Sequence, residues 1–102
     1  SIGQLFPNTD PQYKNISSLK LLEKVIEKMA SLNYKIGNID STIAAQEPKL
    51  LPYIDHIRTT LATTCEIDIN QISIKATTTE KLGFEGREEG ISAHTIVLLK
   101  SE

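Results

Sequence analysis

Apolar residues recur at helical spacing after Ser17, and charged residues occupy the opposite side of the same segment. Ser17 or Ser18 stands where a helix would be capped. The pattern therefore predicts a helix from about Ser18 to Leu32, with its charged side in solvent. The apolar positions of this helix are Leu19, Leu22, Val25, Ile26 and Met29.

The next segment, 34–45, alternates as a strand does, so its side chains should point to two faces of a sheet. Ile39, Ile43 and Ala45 are expected on one face, and Asp40, Thr42 and Ala44 on the other. A second helix follows, with Pro52 near its first turn, where a missing N–H costs little. Its apolar positions are Leu51, Ile54, Ile57 and Leu61.

Two further strands are predicted near the C-terminus. Ile72, Ile74 and Ala76 alternate in the first. The second, 91–99, is apolar on both sides: one side carries Ala93, Val97 and Leu99, and the other carries Ile96 and Leu98. A strand that is apolar on both faces is normally covered on both. Two helices can cover only one face of so small a sheet, so the other face is expected to pack on a second copy of the chain.

The order of helix, strand, helix, strand, strand favours a sheet with helices on one side. The first fifteen positions, with two prolines and the run Asn8-Thr9-Asp10-Pro11, predict a loop. The length of 102 residues corresponds to one domain.

Composition narrows the function classes. The chain has 11 basic and 13 acidic side chains and a net charge of −2, without the basic surplus of a nucleic-acid binder. No apolar run is long enough to span a membrane, and the first residues lack the features of a signal peptide. Cys65 is the single cysteine, which fits a reducing compartment. We therefore expect no nucleic-acid or membrane partner.

The run Thr77-Thr78-Thr79-Glu80-Lys81 is the first candidate for chemistry. It combines hydroxyls, backbone N–H groups, a carboxylate and an ammonium after a predicted strand, and phosphate oxygens need such donors. The carboxylate could also hold a divalent cation that bridges two phosphates. Arg87 adds another possible anion ligand. A threonine-rich strand end with an exposed ion pair is the alternative interpretation.

Two loops are further candidates, each with a structural alternative. The loop 44–52 could offer main-chain groups to a flat base, with Lys49 near a phosphate, or could simply connect a strand to a helix. The loop 3–10 could bind hydroxyl groups, or its Asn and Asp side chains could cap turns. The two histidines, His56 and His94, have no second ligand at metal-binding spacing, which favours a surface position for His56 and a structural role for His94.

Together these segments resemble the 2-C-methyl-D-erythritol 2,4-cyclodiphosphate synthases of the non-mevalonate isoprenoid pathway, over essentially the whole chain and in the same order. The motifs that carry the resemblance are Ile2-Gly3-Gln4-Leu5-Phe6-Pro7-Asn8-Thr9-Asp10, Tyr34-Lys35-Ile36-Gly37-Asn38-Ile39-Asp40, Ala45-Gln46-Glu47-Pro48-Lys49-Leu50-Leu51-Pro52, Lys75-Ala76-Thr77-Thr78-Thr79-Glu80-Lys81-Leu82-Gly83-Phe84, Gly86-Arg87 and Glu89-Gly90-Ile91.

The resemblance implies a phosphorus–oxygen lyase that converts 4-diphosphocytidyl-2-C-methyl-D-erythritol 2-phosphate to the 2,4-cyclodiphosphate and CMP. It also implies a zinc ion, a magnesium or manganese ion, and a homotrimer with active sites between subunits. The fold expected is α+β, with helices on one face of a small mixed, ferredoxin-like sheet and the other face at the trimer interface. The compartment expected is a bacterial cytoplasm or a plastid.

Site roles follow from the same resemblance. Thr78 would stabilise the transition state, and Glu80 would be the protein ligand of the magnesium or manganese ion. Arg87 and His94 would face a cavity on the trimer axis, where the family often has a glutamate in place of His94. The full set of substrate contacts would be Ser1, Ile2, Gly3, Phe6, Pro7, Asn8, Thr9, Asp10, Ala45, Gln46, Glu47, Pro48, Lys49, Leu50, Leu51, Thr77, Thr78, Thr79, Glu80, Phe84 and Arg87.

The chain departs from the family pattern in three places. Ser1 and Asn8 stand where the family often has Asp, on the sugar side of the substrate. The zinc ligands, an Asp-x-His pair and a later His, would lie upstream of Ser1, so the chain is expected to be a single synthase domain without its N-terminal segment. Three hypotheses stay open: a synthase whose full length supplies the zinc ligands, a trimer that binds CMP or diphosphate without catalysis, and a structural oligomer whose threonine run has no role.

Overall fold

A computed structural model gives the structure of residues 17–102. The loop expected over 1–15 lies outside these residues. The helices are α1 (Ser18–Ser31), α2 (Ile54–Cys65) and the one-turn α3 (Gly83–Gly86), with 3-10 turns at Leu51–Tyr53 and Ile69–Gln71. The strands are β1 (Tyr34–Ala44), β2 (Ile72–Thr77) and β3 (Ser92–Ser101). The predicted elements are thus confirmed to within one or two residues at most ends, and α3 was not predicted.

The helix α1 begins where its sequence allows a cap. The Ser17 hydroxyl accepts a hydrogen bond from the backbone N–H of Lys20 at 3.3 Å, which satisfies one of the free donors at the helix start. None of the α1 side chains is fully buried. Its apolar stripe is therefore only partly covered by α2 and β1, the elements against which it packs.

The three strands form a mixed sheet in the order β2-β1-β3. β1 and β2 are parallel and joined through α2, whereas β1 and β3 are antiparallel. Crossing from one parallel strand to the next requires a connection of this length. The α+β class with a small mixed sheet is confirmed.

A β-bulge interrupts the pairing of β1 with β3. Ile36 pairs with Leu99 and Asn38 with Leu98, so Gly37 is an extra residue on β1. The side-chain amide of Gln71 donates to the carbonyl oxygens of Ile36 at 3.3 Å and Gly37 at 3.0 Å. These bonds connect the residue before β2 to the backbone of β1 at the bulge.

The core lies between α2 and the sheet. Ile72 and Ile74 of β2 are buried together with Ala62 of α2. The partly buried residues packed against them are Ile39, Ile43, Ile54, Ile57, Leu61 and Ile67. The predicted faces of β1 and α2 are confirmed here with one exception. Leu51 is 79% exposed, because it lies in the 3-10 turn ahead of α2 rather than on its apolar stripe.

β3 is apolar on both faces, as its sequence predicts. Val97 pairs with Ile39, which puts it on the helix side, and Ile96 pairs with Asp40 on the opposite, open side. Ile96 is 77% exposed and Leu98, also on the open side, is 52% exposed. No helix among residues 17–102 is long and apolar enough to cross a membrane.

Candidate functional site

The site is built where two parallel strands end. Ala44 at the end of β1 pairs with Thr77 at the end of β2. The N–H of Ala45 then donates to the Thr77 carbonyl at 3.0 Å, which extends the ladder one step beyond β1. The loop after β1 and the loop after β2 therefore leave the sheet side by side. Ligands of open sheets commonly bind outside the carboxyl ends of parallel strands.

A pocket of about 200 Å³ lies between these two loops. Pockets for whole drug-sized ligands are roughly 300–1,000 Å³, so this one suits a single ring rather than a whole nucleotide. Its walls are largely apolar, with hydroxyls at one end. The lining residues are Ala45, Lys49, Leu50, Leu51, Ala76, Thr77 and Thr78.

The three threonine hydroxyls at this edge have different partners. Thr77 donates to the Thr78 carbonyl at 3.1 Å, and Thr79 donates to the Leu82 carbonyl. The Thr78 hydroxyl instead accepts from the N–H of Glu80 at 3.3 Å. A hydroxyl has one hydrogen to donate and two lone pairs. Thr78 thus keeps its hydrogen available for a ligand, whereas Thr77 and Thr79 direct theirs to backbone.

The turn after Thr79 has an uncommon backbone. Glu80 has φ 54° and Lys81 has φ 65°, so two consecutive residues other than Gly are left-handed. The backbone N–H of Lys81 donates to the side-chain oxygen of Gln46 at 3.2 Å, across the two loops. This turn was not predicted, since neither residue type favours the left-handed region.

The charged groups of the two loops are exposed. Among residues 17–102, the Glu80 carboxylate makes no salt bridge. The Lys49 ammonium donates to the Gln46 carbonyl at 3.2 Å and lies 3.8 Å from the Glu47 carboxylate. An exposed pair of this kind contributes little to stability, so Lys49 can exchange Glu47 for an anionic ligand at small cost.

Metal ligands in the described part of the chain are few. No group of three His, Cys, Asp or Glu side chains there is arranged to hold a metal ion. A zinc site, which needs at least three protein ligands, therefore has no ligand set within residues 17–102. A single carboxylate such as Glu80 is instead sufficient for magnesium or manganese when substrate phosphates supply the remaining ligands.

Phe84, Arg87 and His94 do not line the pocket. Phe84 lies in α3, 47% exposed, and its ring contacts Gly90 so closely that a Cβ there would be 3.1 Å from it. Arg87 follows α3 and forms an exposed ion pair with Glu89. His94 pairs with Thr42 on the open face of the sheet.

Of the thirteen substrate contacts expected within residues 17–102, eleven lie in the two neighbouring segments 45–51 and 77–80. Six of them line the pocket together with Ala76, which was not predicted. The alternation of β2 places Ala76 on the same face as Ile72 and Ile74, and its small side chain leaves room at the strand end. Of the expected contacts, Ser1, Ile2, Gly3, Phe6, Pro7, Asn8, Thr9 and Asp10 lie outside the described residues.

Comparison with known protein families shows to which family the chain belongs. The model of the YgbB family matches residues 1–100. The chain belongs to the YgbB family. Its YgbB relatives include a 2-C-methyl-D-erythritol 2,4-cyclodiphosphate synthase of Syntrophotalea carbinolica, 55% identical over 98 residues. That match covers 96% of this chain and 60% of the relative.

A second YgbB relative, the 2-C-methyl-D-erythritol 2,4-cyclodiphosphate synthase of Clostridium acetobutylicum, is 57% identical over 98 residues. The match covers 96% of this chain and 63% of that protein. The chain therefore spans about three-fifths of the length of the curated relatives it matches.

Solved structures agree with this affiliation. The bifunctional IspDF of Campylobacter jejuni superposes with a TM-score of 0.94 at 40% identity, over 100% of this chain and 28% of that one. The CDP complex of Plasmodium falciparum IspF superposes with a TM-score of 0.85 at 34% identity, over 100% of this chain and 60% of that one.

Proposed function

We propose that the protein containing this chain is a 2-C-methyl-D-erythritol 2,4-cyclodiphosphate synthase, a lyase of the non-mevalonate isoprenoid pathway. Its substrate would be 4-diphosphocytidyl-2-C-methyl-D-erythritol 2-phosphate. The observation that carries the proposal is that one sheet edge holds a ring-sized apolar pocket, the Thr78 hydroxyl and the exposed Glu80 carboxylate, which has no salt bridge within residues 17–102. The names of the curated relatives and the CDP complex of a solved relative support the same assignment.

The reaction transfers a phosphoryl group within one molecule. An oxygen of the 2-phosphate attacks the β-phosphorus, a new P–O bond closes the ring, and the bond from the β-phosphorus to the CMP oxygen breaks. Because attacker and target share one molecule, holding the substrate in a folded shape supplies much of the rate enhancement. Catalysis therefore depends mainly on residues that bind both ends of the substrate and keep them close together.

The described residues would hold the nucleotide end. The cytosine ring would enter the pocket, where loop 45–51 supplies apolar walls and backbone groups. The Thr78 hydroxyl would donate its free hydrogen to a phosphate oxygen on which negative charge increases, the kind of contact that stabilises a transition state. The Lys49 ammonium would give up its ion pair with Glu47 and pair with the substrate phosphates instead.

Glu80 fits a magnesium or manganese ion, since its carboxylate is exposed and has no salt bridge within residues 17–102. Glu80 would hold such an ion, and the ion would supply positive charge that offsets the charge of the substrate phosphates. A zinc site finds no ligand set in the described residues. The family pattern implies that the zinc ligands come from the part of the protein upstream of Ser1, and we propose the same arrangement here.

We also propose a homotrimer, in which the open face of the sheet packs on neighbouring subunits. Exposed Ile96 and Leu98 on that face support this, because apolar side chains on a strand are normally covered. Arg87 and His94 would then lie near the trimer axis. The single buried cysteine, Cys65, is compatible with a bacterial cytoplasm or a plastid.

The test uses the full-length gene product that contains this chain. Calorimetry measures the affinities for CMP and CDP with and without Mn²⁺, and ³¹P NMR follows formation of the cyclodiphosphate. We expect turnover, and we expect Glu80→Ala to abolish the Mn²⁺-dependent gain in CDP affinity while CMP still binds. Binding without turnover in the wild type would favour a non-catalytic nucleotide binder. Failure to bind either nucleotide would favour a structural oligomer.

A further inference from the structure

The side chain of Gln46 joins the two loops of the site. Its Oε1 accepts from the backbone N–H of Lys81 at 3.2 Å, although the two residues are 35 positions apart. The side chain is only partly exposed. The resemblance placed Gln46 among the substrate contacts, whereas in the structure its amide oxygen bonds to the protein backbone.

This hydrogen bond falls on a strained part of the chain. Glu80 and Lys81 are both left-handed, with φ of 54° and 65°. Residues other than Gly keep such a conformation only when the surrounding structure holds them in it. The N–H of Glu80 is held by the Thr78 hydroxyl, and the N–H of Lys81 is held by Gln46.

Gly86 supports the same backbone from another side. A Cβ at position 86 would lie 2.2 Å from the carbonyl carbon of Lys81 and 2.6 Å from its Cα. The backbone of Lys81 can approach α3 this closely only because position 86 has no side chain. The backbone of Lys81 is therefore held by its hydrogen bond to Gln46 in loop 45–51 and by packing on α3.

We propose that Gln46 is a positioning residue that, through Lys81, sets where the Glu80 carboxylate lies relative to the base pocket. This inference rests on the proposed function, in which Glu80 holds a divalent cation against the diphosphate. Groups that orient a metal ligand typically change metal affinity roughly 10- to 100-fold when they are replaced. A similar loss is expected when the Gln46 acceptor is removed.

The test compares variants of the full-length protein by calorimetry. The quantity measured is the ratio of the CDP dissociation constants without and with Mn²⁺. Gln46→Met has a similar length but no strong acceptor, so we expect this ratio to fall roughly 10- to 100-fold, with a much smaller loss of CMP affinity. Gln46→Glu keeps an oxygen acceptor and is expected to retain most of the wild-type ratio. Hydrogen exchange at the Lys81 amide should be faster in Gln46→Met and slow again in Gln46→Glu.

Gln71→Met is the matched control, because it also removes a side-chain amide that bonds to backbone, but at the bulge of β1. It should leave the Mn²⁺ ratio unchanged. A wild-type ratio in Gln46→Met would overturn the inference, as would a loss of CMP affinity equal to the loss for CDP, or an equal effect of Gln71→Met. If the wild type itself gains no CDP affinity from Mn²⁺, the proposed function fails instead.

Discussion

The Thr78 hydroxyl accepts from the N–H of Glu80 at 3.3 Å, so one side chain orders the turn and keeps its own hydrogen for a ligand. The two roles use different parts of the hydroxyl: a lone pair serves the backbone, and the O–H serves the site. The residue proposed to stabilise the phosphates is thus also the residue that fixes the backbone of the proposed metal ligand.

Replacement of Thr78 by Val should separate binding from chemistry. Val has nearly the same shape, so the pocket wall is kept, but the donor to the phosphate and the acceptor for the Glu80 N–H are both lost. We expect kcat to fall roughly 10²- to 10³-fold, as when an oxyanion-hole donor is removed, with little change in CMP affinity. Steady-state kinetics and calorimetry measure the two quantities.

Thr64→Val is a suitable comparison, since the Thr64 hydroxyl bonds to the Thr60 carbonyl within α2, away from the pocket. It should leave kcat near the wild-type value. An equal loss of kcat in both variants would show that the effect of Thr78→Val is not specific to the site.

Truncation of Leu51 should weaken CMP binding, whereas truncation of Leu61 should lower the stability of the fold. Leu51 lines the pocket and is 79% exposed, so Leu51→Ala should weaken CMP binding by about 1–2 kcal/mol, or roughly 5- to 30-fold, with little loss of stability. Leu61 packs against the core, so Leu61→Ala should lower the free energy of unfolding by about 2 kcal/mol. Calorimetry and urea unfolding distinguish the two effects. The reverse pattern would contradict the assignment of the pocket.

Ile96→Lys tests whether the open face of the sheet is an interface. The side chain is 77% exposed in the isolated subunit, so a charge there should not unfold it. In a trimer the same charge would be buried against a neighbour without a partner. We expect the full-length protein to become monomeric by light scattering after gel filtration. Thr63→Lys, on the exposed side of α2, should leave the assembly intact, and a trimeric Ile96→Lys would refute the proposed interface.

Cys65 gives a prediction for alkaline pH. Burial raises the pKa of its thiol above the ordinary value of 9.0. The folded chain thus keeps the proton when the unfolded chain has lost it, and the stability due to this group is complete below pH 9.0 and falls as the pH rises through the folded pKa. The difference in unfolding free energy between wild type and Cys65→Ala should therefore shrink above pH 9.0, as measured by urea unfolding. A difference that does not change with pH would contradict this.

Periodicity was sufficient to predict α1, α2 and all three strands, because their apolar spacing reflects which face each element buries. It failed at Leu51, whose spacing fits the stripe of α2 but whose backbone belongs to the preceding 3-10 turn. It also gave no sign of the turn at Glu80 and Lys81. One hydrogen bond to that turn comes from Gln46, 35 residues from Lys81, and a contact so distant leaves no local pattern.

The site could be located from sequence only in outline. Residue types suggested phosphate chemistry for the threonine run and base binding for the loop 44–52, and the resemblance joined these segments into one site. The separate roles of the threonines follow from which backbone groups lie near each hydroxyl, a carbonyl for Thr77 and Thr79 and an N–H for Thr78, and spacing does not encode this. Ala76 was missed because a small apolar residue at a strand end carries no chemical signal of its own.

The extra residue at Gly37 has a consequence for how the strand tolerates change. Ile36 and Ile39 are three positions apart yet lie on the same face, because the bulge shifts the alternation by one. An insertion or deletion between Tyr34 and Gly37 could be absorbed by creating or removing such a bulge. The pairing from Ile39 to Ala44 would keep its phase, and the strand end that supports the pocket would stay in place. Length variation among homologues should accordingly be tolerated at the Tyr34 end of β1 and be rare at the Ala44 end.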